Sequence, residues 1–305
     1  MRASLRCIKK APSGAFFVAA FPVLLLLSMV ASATVSAKTA APDCALAASV
    51  KAESVQAEKV LDGDTLVLVD GRHVRLIGVN TPEVAHPPRS EEPLAVDAQH
   101  QLEQLVRKSP LYLEVGQQPR DHYGRTLGHL YAADGRNVIA ELLRQGLGFQ
   151  VAIPPNLAHA ECYAEAQTQA RSSGSGVWRH AYFQPQPSDG AGLKGGYQRL
   201  QGKVSKVTLT QKVIWVDLVG NVSLKLDRRN ATYLEGDTLD RIVAQSRARP
   251  GSGDLRLEVR GWLIDRNRWG GQMRRQIESG QRKRFLVNVS HHSQWEILPD
   301  KTPSH

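Results

Sequence analysis

Four short stretches carry residues whose types and order could do chemistry on a phosphodiester. They are Asp62-Gly63-Asp64-Thr65, Arg75, Asn80-Thr81-Pro82-Glu83, and Asp121-His122-Tyr123-Gly124-Arg125. Carboxylates and carbonyl oxygens suit a hard cation. Arginine forks match phosphate oxygens and stabilise the charge that grows on them during displacement. A carboxylate beside a water can orient or deprotonate it. Taken singly, each stretch has an ordinary explanation. Asp-Gly-Asp is a turn, an arginine in a strand snorkels to solvent, Thr-Pro-Glu starts a helix or turn, and Tyr-Gly-Arg is a weak tripeptide. Together they describe a metal-assisted phosphodiesterase site.

The elements that must position these residues are legible as patterns. Residues 55–79 read as strands; 65–69 and 73–79 are β-branched or aliphatic, and Asp70-Gly71 between them is a hairpin signal because the turn needs positive φ. Residues 93–108 have helical spacing, with Leu94, Ala98, Leu102 and Leu105 on one face. Strands are predicted at 111–115 and 126–132. A short helix capped by Asn137 ends at Gly146, and a last helix covers 158–172. Three strands, a helix, two strands and closing helices are compatible with a mainly β, α+β domain of the OB-barrel type, although periodicity alone does not select that topology.

In this order the motifs resemble the staphylococcal nuclease (thermonuclease) family. The resemblance covers residues 55–178. It rests on Val60-Leu-Asp-Gly-Asp-Thr65, Val74-Arg-Leu-Ile-Gly-Val-Asn-Thr-Pro-Glu83, Tyr123-Gly-Arg125, Leu142-Leu-Arg-Gln-Gly-Leu147 and Gly176-Val-Trp178. It implies an OB-fold nuclease barrel that hydrolyses DNA and RNA with little sequence specificity, leaving 3′-phosphate ends, with Ca2+ as cofactor. Asp64 would be the calcium-binding aspartate, Thr81 would offer its backbone carbonyl to the metal, and Asp62 would lie near it. Glu83 would activate the attacking water, and Arg75 and Arg125 would bind the scissile phosphate. Tyr123 would lie in the nucleotide-binding neighbourhood. His86 falls on the His-Pro that follows the family's glutamate, without an assigned role. One position departs from the pattern: Asn80 stands where the founding member has a second aspartate ligand. An amide oxygen can coordinate but carries no charge, so weaker calcium affinity or another divalent preference is expected.

The chain has 305 residues, 39 Lys and Arg against 29 Asp and Glu, and a net charge of +10. At 42% hydrophobic and 22% charged residues it is too apolar for a disordered chain. No zinc-finger cysteine spacing or P-loop occurs, and the G-x-G-x-x-G of Gly190 to Gly195 sits in a Pro/Gly-rich stretch rather than between a strand and a helix, which speaks against a nucleotide-driven motor, a Rossmann dehydrogenase or any nucleotide cofactor. Arg2, Arg6, Lys9 and Lys10 precede an apolar stretch from about residue 15 to 33, and Val35-Ser36-Ala37 offers small residues for a peptidase. Residues 1–37 therefore read as a signal peptide, with an uncleaved anchor as the alternative, and the protein as exported, periplasmic or secreted. Cleavage leaves Cys44 and Cys162. Two cysteines in an oxidising compartment suggest one disulfide, with two free thiols as the alternative.

The remaining organisation follows composition. Residues 38–54 form an N-terminal arm, 55–182 the nuclease-like domain, 183–196 a flexible Pro/Gly linker, 197–298 a second domain and 299–305 a tail. The second domain holds 19 of the 39 basic residues against 10 acids, pointing to a polyanion partner. That partner is nucleic acid or an anionic envelope surface. Strands at 202–208, 213–219 and 222–226, a helix at 230–247, and strands at 255–264 and 284–298 predict a second OB-like barrel. Its segment from His292 to Leu298 resembles the closing strand of OB-like tails that follow some bacterial nuclease domains. Trp262 and Trp295 read as core residues on strands. Trp269, flanked by Arg268 and Gly270-Gly271, reads as the residue that stacks on a base. A non-catalytic nucleic-acid-binding protein on the same fold is the alternative function, and oligomeric state is not encoded in these patterns.

Overall fold

A computed structural model describes residues 44–47, 50–88, 90–247 and 255–299. The expected signal peptide and the C-terminal residues 300–305 lie outside the described residues, as does most of the arm before Cys44.

The first barrel is built from β1 (Glu53–Val55), β2 (Ala57–Asp62), β3 (Thr65–Leu68), β4 (His73–Leu76), β6 (Leu111–Arg120) and β7 (Thr126–Tyr131), in the order β1-β6-β7-β4-β3-β2. Strands β1 and β2 are one strand interrupted at Gln56. Its first half pairs with β6 and its second with β3, so the five-stranded ring closes. Strands β4 and β7 are parallel, the others antiparallel. Gly71 in the β3–β4 turn has φ of 83°, as the Asp-Gly pattern requires. Between β4 and helix α1 (Ala95–Val106), the short strand β5 (Val79–Asn80) pairs with β8 (Phe149–Gln150). Helix α1 buries Ala95, Ala98, Leu102 and Val106 against the barrel. Helices α2 (Val138–Arg144) and α3 (Ala160–Ser173) complete the unit, and Asn137 caps α2 by accepting from the Ala140 amide at 3.1 Å. Cys44 and Cys162 form a disulfide that ties the N-terminal arm to α3 across 118 residues.

The second barrel repeats this topology. Strand β10 (Gly196–Leu209) pairs through its first half with β13 (Arg256–Asp265) and through its second with β11 (Val213–Leu218). Strand β12 (Val222–Asp227) pairs with β11 and lies parallel to β14 (Phe285–Val289), which returns to β13. The ring β10-β11-β12-β14-β13 is therefore closed, with β15 (Trp295–Ile297) added outside β13. The expected 230–247 helix is divided at Gly236 into α4 (Ala231–Leu234) and α5 (Asp237–Arg247). The expected strand 284–298 is broken by a 3-10 turn at His292–Gln294. Helix α6 (Gly271–Glu278) buries no residue fully, its Met273 and Ile277 being half-buried, and was not signalled by periodicity.

Residues 183–196 are not a flexible linker. Gln186–Pro187 form a strand, β9, beside β10; Ser188 is buried and hydrogen-bonds the backbone of Gln201 and Val219; and Leu193 joins the second core. The Pro and Gly content reflects tight turns along a docked strap rather than mobility. The described residues make one compact unit. The two barrels meet through Phe149, Val177 and Trp178 of the first against Phe183 and Tyr197. The guanidiniums of Arg171, Arg199 and Arg260 lie 5.4, 4.8 and 5.7 Å from the Trp178 ring centre. Arg199 is paired with the buried Glu258 at 2.9 Å, so its charge is neutralised where it is desolvated.

Candidate active site

The turn between β2 and β3 presents two carboxylates. Asp62 Oδ1 accepts the Asp64 amide at 2.9 Å, which tightens the turn. Gly63 is required there, because a Cβ would stand 2.6 Å from the Ala98 methyl of α1 and 2.7 Å from the Thr81 hydroxyl. Asp64 is buried and fully engaged. Its Oδ2 accepts the Thr81 amide at 3.0 Å and pairs with Arg75 Nη2 at 2.9 Å, and its Oδ1 accepts the Thr65 hydroxyl at 3.1 Å. Burial, and then the negative charge of Asp64, push the Asp62 carboxyl up to about 7.

Strand alternation explains Arg75. Val74 and Leu76 are buried in the barrel, so Arg75 emerges on the opposite face. It also donates to the Leu76 carbonyl. Arg125 arrives from the β6–β7 loop, just before β7. Its Nε donates to Asp121 Oδ2 at 2.8 Å, while Asp121 Oδ1 accepts the amides of Tyr123 and Arg125 at 3.0 Å each. Burial works to raise the Asp121 carboxyl, but the hydrogen bonds from Arg125 outweigh it and hold it below its ordinary value. Arg125 Nη1 approaches the Thr65 hydroxyl at 3.4 Å, linking the second arginine to the turn that carries Asp64. Tyr123 is 74% exposed, with the Arg125 guanidinium 5.5 Å from its ring centre.

Asn80 and Thr81 are buried at the end of β5. Glu83 follows two residues later and is exposed. Its amide donates to Glu92 Oε2 at 3.0 Å, and its carbonyl accepts the Glu92 amide at 3.0 Å. Glu92 Oε1 accepts the Tyr182 hydroxyl at 3.2 Å. The loop bearing His86, which is exposed, is thereby pinned at its base.

Arg75, Tyr123 and Arg125 wall a cleft of about 620 Å³ with Gly78, Ile153 and Trp262. Trp262 comes from the second barrel. It was expected in the core, yet it is 39% exposed, whereas Trp295 is buried as expected. Trp269 is exposed but is not among the residues that wall this cleft. The structure thus joins Asp62, Asp64, Arg75, Thr81 and Arg125 by direct or shared contacts and sets Asn80 beside Thr81. His86 and Trp269 stand apart from that network. Three contributors escaped the sequence reading. Asp121 as the holder of Arg125 had a signal in its four-residue spacing. Trp262 had one in the alternation of Leu257, Val259 and Leu263, which leaves it on the outer face. Glu92 had none.

Among the described residues no three His, Cys, Asp or Glu side chains cluster as a metal site. The β2–β3 turn instead offers two carboxylates, and Thr81, bonded to Asp64 through its amide, brings its carbonyl and the adjacent Asn80 amide from the end of β5. All supply hard oxygens, and the two crowded carboxylates repel each other in a way that a divalent cation would relieve. These residues fit such an ion.

A closed OB barrel with two arginines on one cleft, one of them paired with an aspartate of an acidic turn, defines a phosphodiester-binding class of protein. The staphylococcal nuclease homologue family model matches residues 73–180. The thermonuclease of Staphylococcus intermedius is 32% identical over 132 residues, covering 42% of this chain and 78% of that protein. The thermonuclease of Staphylococcus hyicus is 32% identical over 124 residues, covering 39% and 72%. Endonuclease YncB of Bacillus subtilis (strain 168) is 32% identical over 133 residues, covering 42% and 63%. The chain belongs to the staphylococcal nuclease family. Membership supports a nucleic-acid-hydrolysing enzyme with a general requirement for a divalent metal.

Proposed function

We propose that this protein is an exported, calcium-dependent endonuclease that cleaves DNA and RNA with little sequence preference. The observation that carries the reading is the convergence of Arg75, held by Asp64, and Arg125, held by Asp121, on one cleft. The two guanidiniums would grip the non-bridging oxygens of a phosphodiester and oppose the charge that grows on them. Glu83 would accept a proton from water as the water oxygen attacks phosphorus. The bond from phosphorus to the 5′-oxygen then breaks, leaving a 3′-phosphate, and the departing oxygen takes a proton from solvent. Asp64, Asn80 and the Thr81 carbonyl would hold the divalent ion, with Asp62 near it, and the ion's charge would supplement that of the arginines. Exposed Tyr123 would contact the nucleotide, with His86 and Trp269 as outlying contacts. The basic second barrel would add salt-dependent affinity. Export is supported by the basic, apolar and small-residue succession in residues 1–37 and by the Cys44–Cys162 disulfide.

The test is hydrolysis of end-labelled single-stranded DNA and RNA with calcium or with a chelator, with identification of the new ends. Calcium-dependent cutting of both polymers to 3′-phosphates supports the reading. Tight binding without cutting in any divalent metal would overturn it in favour of a binding module, the outcome that uncharged Asn80 favours. Binding to anionic vesicles in the absence of nucleic acid would identify the envelope surface as the partner of the basic barrel. Replacing Asn80→Asp adds a charged oxygen donor and is expected to lower the calcium concentration for half-maximal activity about tenfold, or about 1.4 kcal/mol. An unchanged calcium titration would mean that residue 80 is not a ligand.

A further inference from the structure

The first barrel supplies the charged wall of the cleft, but the second supplies an aromatic one. Trp262 lies on β13, whose Leu257, Val259 and Leu263 fill the second core while Trp262 points outward. Its ring is set edge-on to Tyr197 at 5.2 Å and 82°, and Tyr197 stacks on Phe149 of the first barrel at 5.3 Å and 24°. Phe149 in turn meets Trp178 edge-on at 5.3 Å. This relay of rings fixes Trp262 relative to β8, which leads directly into Val151 and Ile153 of the cleft. Tyr123, Ile153 and Trp262 are all substantially exposed, and all border the same space as Arg75 and Arg125. A cleft of about 620 Å³ has room for a nucleotide. Large apolar faces beside phosphate-binding arginines match the two halves of a nucleotide, a flat base and an anionic ester.

We propose that Trp262 is a substrate-binding residue of the nuclease site, stacking on a nucleobase next to the phosphate held by Arg75 and Arg125. The second barrel then completes the active-site cleft itself, beyond any contribution of its basic surface to affinity. This assignment rests on the nuclease reading above, and the test separates the two. Steady-state cleavage of a short single-stranded oligonucleotide is measured for the full chain and for Trp262→Ala and Trp262→Phe. Versions of the oligonucleotide lacking, one at a time, the bases that flank the cut are then compared. Alanine is expected to raise KM about tenfold while kcat stays within threefold, phenylalanine to recover most of the loss, and removal of the stacked base to abolish the difference between wild type and Trp262→Ala. An unchanged KM in Trp262→Ala overturns the proposal. So does a KM increase that persists equally on every base-free version, because that marks a structural role. If thermal melting shows that Trp262→Ala is unfolded, Trp262→Leu retains apolar bulk against Tyr197 and carries the same expectations. If the wild type binds the oligonucleotide but does not cut it, the nuclease reading fails by itself. Fluorescence anisotropy with the same variants then decides the role of Trp262, and equal affinities would overturn it.

Discussion

Arg125 depends on Asp121 for its direction. The carboxylate holds the guanidinium Nε with one oxygen and two backbone amides of the same turn with the other. Asp121→Ala is therefore expected to lower kcat about tenfold with a smaller change in KM, because a guanidinium free to rotate loses most in the transition state. The loss should be largely recovered in Asp121→Asn, whose amide oxygen can still accept. Equal kinetics for Asp121→Ala and wild type would show that Arg125 needs no holder. At this scale the residue types were legible because charged groups interrupt apolar runs, as Arg75 does between Val74 and Leu76. Their partners were less so. The contacts of Asp64 with Thr81 and Arg75 are made between strands, and one-dimensional spacing does not encode which strands become neighbours.

The elements owe their arrangement to a few obligatory close approaches. The blocks Leu142–Leu147 and Gly176–Trp178 meet where Val177 donates to the Gly146 carbonyl at 2.9 Å. Gly146 has φ of 70°, and a Cβ there would stand 2.3 Å from the Ser175 carbonyl oxygen; Gly176 has φ of 54° and faces Gly146 just as tightly. Gly146→Ala is expected to cost about 2 kcal/mol or more through backbone strain and displacement of the 176–178 turn. Chemical denaturation would read this as a lower midpoint at unchanged slope, and an unchanged midpoint would contradict the packing described. Strand and helix positions were legible where one face is apolar, as in β3, β4 and α1. The pattern failed for residues 183–196, where the chain is held by backbone hydrogen bonds to β10 rather than by a periodic apolar face. It failed for α6 for the related reason that none of its residues is fully buried.

The whole molecule is two barrels of one topology locked through a shared aromatic cluster, with charge buried in both. In the first, Glu114, Tyr131 and His159 form one hydrogen-bonded triad and His129, Tyr163 and Asn137 another, and the two histidine rings meet edge-on at 4.7 Å. Burial, and then the neighbouring His159, lower the His129 pKa from its ordinary 6.5 to about 4, against the opposing pull of Glu114. Between those values the unfolded chain binds a proton that the folded chain does not, so stability is retained above about pH 6.5 and lost as pH falls toward 4. The loss should be on the order of 2–3 kcal/mol. His129→Gln should flatten the dependence of Tm on pH across that window, and an identical pH profile would assign acid sensitivity elsewhere. The order of strands and helices was compatible with both barrels, and for the first the family resemblance, not the periodicity, supplied the closed topology. The docking of one on the other was not legible, because nothing in the spacing of Phe149, Trp178 and Tyr197 marks them as partners across two domains. The central claim is that this assembly hydrolyses phosphodiesters at the cleft between Arg75 and Arg125 with Glu83 as base. Its most direct test is single-turnover cleavage of one single-stranded DNA by Glu83→Gln beside wild type, with binding measured on the same oligonucleotide. The account expects cleavage to fall about 100-fold or more while affinity stays within about threefold; undiminished cleavage by Glu83→Gln would contradict it.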